Sequence, residues 1–416
     1  MSGLKRTLSV WRGAGLMLNI VIGAGVLALP GLVVDQAGPA GLWTWLACTL
    51  VAVPLLAVFV IMGRRFPNAG GISHFCDMAF GRSLYGAASF VFLGAVVFGL
   101  PAIALTGGYY LAEILPGQPV HFAAGLLLAG TLAHVVSPEV AGRVSSLIAS
   151  TMLAALLVLI ALGLTVVDWG QVGGRVAPLS SLEPAGLIAP FMMIFFAFTG
   201  WEVAAGLSEE FRDPARDFPR AMALSFVGAV AVYVAMAFIA QTVPLGDTHE
   251  AAFVAIAKLA AGQVGAMFVG LLAGLIIVAN LTGAIWAVSR MVYSLSREGV
   301  LPLNLSTTEH GTPLSAVTLT GGALLSVLGF EWLGLLDVGG MLAIAGQNFF
   351  ILYGLSALAL WRLTRAPGER GLAILVLALV MALALYENSG VLYPAALAAA
   401  GAGLAKATRA SKASAG

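Results

Sequence analysis

Long apolar runs, broken by short polar stretches, pattern this chain almost from end to end. The runs lie near 11–34, 41–63, 85–114, 121–137, 143–167, 186–208, 219–241, 264–292, 314–330, 338–361, 371–386 and 390–405. A helix needs about 20 apolar residues to cross a bilayer, so the pattern predicts twelve membrane-spanning helices. Two runs are interrupted internally. The first holds Gly23-Ala24-Gly25 at its centre. The sixth, apolar from Gly186 onward, holds Phe195-Phe196-Ala197-Phe198-Thr199-Gly200-Trp201-Glu202. A carboxyl at membrane depth is costly and marks function, and glycine lowers helical propensity at the same place. Both runs therefore predict helices that break in mid-membrane, where irregular backbone survives only against protein or a watery cavity.

Composition narrows the class. With 60% hydrophobic and 9% charged residues and a mean hydropathy of +1.00, a soluble domain is excluded, and residues 1–416 read as a single, all-α integral membrane domain. The net charge of +1 conceals an asymmetry. Eighteen of the twenty Lys and Arg fall in the N-terminal tail, the even-numbered loops and the C-terminal tail, leaving Arg175 and Lys258 opposite. By the positive-inside rule both termini are cytoplasmic, as in a multi-pass protein of a bacterial inner membrane. Lys5, Arg6 and Arg12 precede an apolar run in the manner of a signal peptide, but that run is long enough to span and is read as the first helix. Cys48 in a span and Cys76 in a loop form neither a disulfide framework nor a metal site. The histidines lack metal-ligand spacing, so no metal or cofactor is expected, and no nucleic-acid partner. A channel would need a filter ring, and an enzyme a clustered nucleophile and base or a metal set; neither pattern is visible.

The two breaks lie roughly 175 residues apart, each in the first helix of a five-helix set. An odd number of spans between equivalents inverts the second set, the arrangement of many secondary transporters. The expected organisation is a first repeat over 11–167, an inverted second repeat over 186–361, two additional helices over 371–405 and a disordered cytoplasmic tail over 406–416.

Broken helices carry their own chemistry. After Gly23-Ala24-Gly25 the resuming half-helix presents free N–H groups and a positive dipole end, a place for a carboxylate. Before Thr199 the preceding half-helix leaves free carbonyls, which suit an ammonium. Together they would read the zwitterion common to amino acids. The competing reading of the first motif is close helix packing by small residues. Ala24, Phe196, Ala197 and Phe198 offer no opposing charge, which favours neutral, apolar amino acids. Asn19, Asn280, Gln347 and Asn348 lie in spans, where interhelical hydrogen bonding is the commoner use and lining a path the alternative. Glu113 and Glu387 read as solvated carboxylates.

Four motifs in order carry a resemblance: Gly23-Ala24-Gly25-Val26; Phe66-Pro67-Asn68-Ala69-Gly70-Gly71 with Ala79-Phe80-Gly81; Phe198-Thr199-Gly200-Trp201-Glu202; and the charged run from Ser208 to Arg220. Together they resemble the amino acid-polyamine-organocation (APC) superfamily, and the whole chain looks most like its bacterial YjeH-type branch of methionine and branched-chain amino acid exporters. The resemblance implies a LeuT-like fold of 5+5 inverted repeats plus two helices, with substrate held between helices one and six. It places the carboxylate on the amides of Ala24 and Gly25, and the amine on the carbonyls of Val21, Phe196 and Thr199. Gly23, Ala197, Phe198 and Gly200 complete that site. It makes Phe196 an aromatic gate, Glu202 an acidic residue implicated in pH sensing, and the Arg212-Asp213-Pro214-Ala215-Arg216 run a cytoplasmic hinge or gate with paired charges, where the competing reading is a solvated loop. The competing reading of Phe196 is ordinary packing, and of Glu202 a structural carboxylic acid. Some members carry a lysine in helix five; here that helix has Arg143 at its end, then Ser145, Ser146, Ser150 and Thr151. Sodium coupling, proton coupling and uncoupled exchange stay open, with Glu202 favouring protons. Expected partners are methionine, leucine, isoleucine or valine, the lipid bilayer and protons, for a monomer or homodimer.

Overall fold

The computed structural model describes residues 7–67, 71–136, 138–305, 313–386 and 391–414; the side chains of Ala24, 135–151 and 409–414 fall outside that description. Asn68, Ala69, Gly70 and Glu387 lie outside the described residues, as do the side chains of Arg143, Ser145, Ser146, Ser150 and Thr151.

The described chain is helical throughout. In order come α1 (Val10–Val21), α2 (Leu29–Ala37), α3 (Gly41–Arg65), α4 (Gly71–Phe80), α5 (Arg82–Ala112), α6 (Pro119–Val136) and α7 (Pro138–Thr165). Three short pieces follow, α8 (Val172–Arg175), α9 (Pro184–Ile188) and α10 (Phe191–Phe195), then α11 (Trp201–Gly206) and α12 (Asp217–Thr242). The rest is α13 (Ala252–Arg297), α14 (Leu314–Trp332), α15 (Val338–Leu363), α16 (Pro367–Tyr386) and α17 (Leu392–Ser414). Eight helical stretches among the described residues are long and apolar enough to cross a membrane. Three shorter apolar helices, Val10–Val21, Pro119–His134 and Met152–Thr165, accompany them, which is consistent with the twelve expected spans.

Both predicted breaks are present. α1 stops at Val21, Ile22 leaves the helical region (ψ 82°), and a 3-10 turn over Ala24–Leu27 restarts the chain into α2. In the sixth run α10 passes into a 3-10 turn over Phe196–Phe198; Thr199 is extended, and Gly200 takes φ 99° before α11 begins. That φ is one a side chain rarely adopts, and glycine supplies it without steric cost. A Cβ on Gly200 would also lie 3.2 Å from the Val21 Cα, so the two breaks are packed backbone to backbone.

Three expectations are corrected. The stretch holding Cys76 is not a loop: Gly71–Phe80 is a helix that buries Ile72, Phe75 and Cys76 against α5 and α15. Ten residues with one apolar face are too short to register as a span and long enough to form an amphipathic helix. The tail does not become disordered after Leu404. α17 continues to Ser414, and the Thr408 hydroxyl donates to the Gly299 carbonyl, because alanine-rich sequence has high helical propensity. The span expected over 264–292 begins after a kink at Ala261 and Gly262 (φ 63°), preceded by a further helical segment from Ala252. The charged run after α11 is ordered without ion pairs among its described residues. Asp213 accepts from the amides of Ala215 and Arg216, and Leu8 pairs with Glu210 and Arg212 through the backbone.

A large apolar core runs through the bundle, beside a small second cluster of Leu295, Val300 and Ala405. Polar ties gather at its two ends. At one, Arg65 pairs with Glu369 (2.6 Å), Arg82 with Glu298 (2.6 Å), and the chain start at Leu8 meets Phe211. At the other, the Gln241 amide donates to the carbonyls of Gly38 and Arg175, and the Trp43 indole to that of Ala177.

Candidate substrate-binding site

The breaks meet at a cavity of about 390 Å³, within the range of small-molecule sites. Val21, Gly23 and Gly25 line it from the first break, and Phe196, Ala197, Thr199, Gly200 and Glu202 from the second. Two predicted residues do not join them as side chains. That of Ala24 lies outside the described residues, though its backbone opens the restarted turn. Phe198 points away, 1% exposed, into the rings of Trp45 and Tyr233. On a turn of about three residues Phe196 and Phe198 leave in different directions, the first to the cavity and the second to the core.

The amides of Ala24 and Gly25 are the first of a helical turn, so no acceptor within that turn serves them. The carbonyls opposite are partly engaged. That of Phe196 accepts from the Thr199 amide (3.2 Å) and hydroxyl (2.8 Å). Those of Val21 (3.0 Å) and Ala197 (2.7 Å) both face the hydroxyl of Tyr233, on α12. One phenol thus bridges the two breaks. Tyr233 went unnoticed in the sequence because a tyrosine inside an apolar span is an ordinary packing residue. The available signal is that a buried hydroxyl must find a partner.

Glu202 is nearly buried, 6% exposed. Its carboxylate accepts from the Gly200 amide at 3.1 and 2.9 Å and from the Tyr353 hydroxyl of α15 at 2.5 Å. It therefore caps the start of α11 and ties the second break to α15. Tyr353 was a second missed residue; its ring stacks edge-on with Phe59 and Phe195.

The Phe196 ring lies over the first break. A Cβ on Gly25 would meet it at 3.3 Å and one on Gly99 of α5 at 2.8 Å, and Phe349 of α15 flanks it at 6.2 Å between centroids. The wall away from the breaks comes from α5, α13 and Phe349, and is apolar except for Asn280. Of the four amides singled out in spans, Asn19 and Asn280 line the cavity; Gln347 and Asn348 are buried outside it. A second groove of about 490 Å³ runs along α1 from Leu8 to Ile22 and shares Asn19 and Met152 with the first. The lining residues of α5 run from Phe92 to Ile103, the middle of that helix, and those of α13 from Ile276 to Val288, beyond its kink. The groove along α1 carries this space to Leu8, at the end where that residue meets Phe211. On the far side the Tyr110 hydroxyl closes onto the Leu27 carbonyl at 2.8 Å.

Two interrupted helices that expose backbone to a mid-bundle cavity define a LeuT-like membrane transporter. The fold agrees with a solved structure, MhsT in complex with L-phenylalanine, at a TM-score of 0.62 and 14% identity, covering 92% of this chain and 99% of that one. The chain belongs to the amino acid permease family, whose model matches residues 8–401. It is 30% identical to the uncharacterized amino acid permease YecA of Bacillus subtilis over 96% of this chain and 95% of the relative. It is 36% identical to the L-methionine/branched-chain amino acid exporter YjeH of Escherichia coli over 56% of each. It also resembles the human large neutral amino acids transporter small subunit 2, at 26% identity over 76% of this chain and 63% of the relative.

Proposed function

We propose that this permease is a secondary active exporter of neutral, apolar amino acids, with methionine, leucine, isoleucine and valine as its substrates. The observation that carries the reading is the cavity, with zwitterion-reading backbone on one side and a largely apolar wall on the other. The similarity to an exporter whose name states those substrates supports it. The amides of Ala24 and Gly25 take the carboxylate, and the carbonyls of Val21, Phe196 and Thr199 the ammonium, with Phe196 as the gate over the bound molecule. Glu202 links the cycle to protons, because it is a carboxyl that lines the cavity while holding α11 to α15. The chain works as transporter rather than enzyme, in the bacterial inner membrane, with both termini cytoplasmic, as a monomer or homodimer. The repeats over 11–167 and 186–361 rock around the cavity, with 371–405 as accessory helices and 406–416 as the cytoplasmic tail.

Radiolabelled methionine or leucine flux in proteoliposomes with an imposed pH gradient tests this, with lysine and glutamate as controls. Accumulation of the neutral substrates driven by the gradient is expected. Equal transport of the charged controls, or no flux of methionine or leucine, overturns it.

A further inference from the structure

Five polar side chains face the cavity: Asn19, Thr199, Glu202, Tyr233 and Asn280. Three are satisfied by the protein. The Thr199 hydroxyl bonds the Phe196 carbonyl, Glu202 holds Gly200 and Tyr353, and Tyr233 holds Val21 and Ala197. The carboxamides of Asn19 and Asn280 have no hydrogen-bond partner among the described residues. They differ in place. Asn19 sits at the neck shared with the groove along α1, on the path rather than opposite the breaks. Asn280 stands on the wall facing the breaks, where the other lining residues of α5, α13 and α15 are Phe92, Val96, Leu100, Ile103, Phe349 and the like, or glycine and alanine.

Asn280 is half-buried, with its amide open to the cavity rather than sealed in the core, so it is available to a molecule held there. Interhelical bonding, the usual occupation of an asparagine inside a membrane bundle, is not what Asn280 does here. Its neighbours on the same helix face, Gly283, Ala284 and Ala287, are small and leave room beside it. A carboxamide both donates and accepts, so one such group complements a neutral group that does the same, whereas to a full charge it supplies a hydrogen bond but no counter-charge. Because the backbone of the breaks serves the zwitterion, the group that reaches Asn280 belongs to the substrate's side chain.

We propose that Asn280 is a specificity-determining residue that reads a neutral hydrogen-bonding group on the substrate side chain, so that glutamine is transported beside the apolar amino acids. This rests on the amino acid site proposed above. One neutral hydrogen bond contributes about tenfold in discrimination. The test is uptake by proteoliposomes preloaded with unlabelled L-leucine, measured in parallel with L-[3H]leucine and L-[3H]glutamine for the wild type, Asn280→Leu and Asn280→Ser. The wild type is expected to take up both amino acids. Asn280→Leu is expected to raise the leucine-to-glutamine ratio by about tenfold, and Asn280→Ser, which keeps a hydroxyl, by less. Leucine uptake by each variant reports that it folded. Leucine uptake without glutamine uptake in the wild type, or a ratio unmoved in both variants, overturns the role of Asn280 and leaves the amino acid site standing. Failure of both substrates in the wild type overturns the two readings together.

Discussion

Under the proposed proton coupling, Glu202 has two jobs that pull against each other. As a cap it is satisfied by the Gly200 amide and the Tyr353 hydroxyl; as a coupling group it has to change protonation between conformations, since a ligand shifts an equilibrium only by its differential affinity for the two states. Glu202→Gln keeps an acceptor for Gly200 or Tyr353 while removing the titration. The expected variant binds and exchanges substrate but no longer accumulates it under a pH gradient. Exchange and gradient-driven flux measured on the same reconstituted protein decide the matter, and intact accumulation would leave Glu202 with its structural job alone. At the first break, Gly25→Val drives a branched side chain toward the Phe196 ring, which a Cβ there already meets at 3.3 Å. Calorimetric titration should show binding lost, whereas Ala24→Ser, which adds only a donor, should bind substrate nearly as the parent does. Tight binding by a folded valine variant would place the site elsewhere. Glu202 was legible in the sequence because an ionisable group is rare at membrane depth, and the first break because two glycines fall within three residues of one span. Tyr233 and Tyr353 were not, because a tyrosine's partners in such a span are set by helices far away in the chain.

Helix packing here depends on missing side chains. Gly86 of α5 and Gly401 of α17 cross so closely that a Cβ on the first would lie 2.3 Å from the carbonyl oxygen of the second, and the reverse contact would be 2.2 Å. Gly86→Ala should therefore force the helices apart at a cost of about 1–3 kcal/mol. Gly322 of α14 has open space around its Cβ position, and Gly322→Ala should stabilise by roughly 0.5–1 kcal/mol through helical propensity. Thermal unfolding in detergent, run on both, should move the apparent midpoint in opposite directions; a neutral Gly86→Ala would show that the crossing is not this tight. Elements of this kind escape a reading by hydropathy. Long apolar runs announced themselves, while α4 and the segment before the Gly262 kink were hidden, the first by its length and the second by merging with the polar surroundings of a loop.

At the scale of the molecule, the groove along α1 adjoins the cavity and reaches the end where Leu8 and Arg12 lie. Its two cysteines are both buried, so the parent protein should react little with a bulky, membrane-impermeant maleimide. An Ala287→Cys variant, at a lining position toward that end, should label from the cytoplasmic side of oriented vesicles and be protected by leucine. Labelling confined to the opposite side would reverse the assigned orientation. The all-helical, membrane-spanning architecture was readable because a long apolar run is a one-dimensional signal. The state in which the bundle rests was not, because it depends on which helix ends approach one another.

The hydroxyl of Tyr233 owns a single proton and faces two acceptors, one in each broken helix. It acts as a rivet while the breaks lie together, and it can keep only one of them when they part. An empty protein that changes shape thus strands a carbonyl in a dry interior, at a cost of about 1–3 kcal/mol. In the proposed site a bound ammonium would supply the missing donor. Loaded crossings should therefore outpace empty ones by tenfold or more, and Tyr233→Phe, which removes the rivet, should bring the rates of exchange and net efflux closer together. Paired efflux measurements with and without substrate on the far side would reveal the difference, and an unchanged ratio in the phenylalanine variant would refute it.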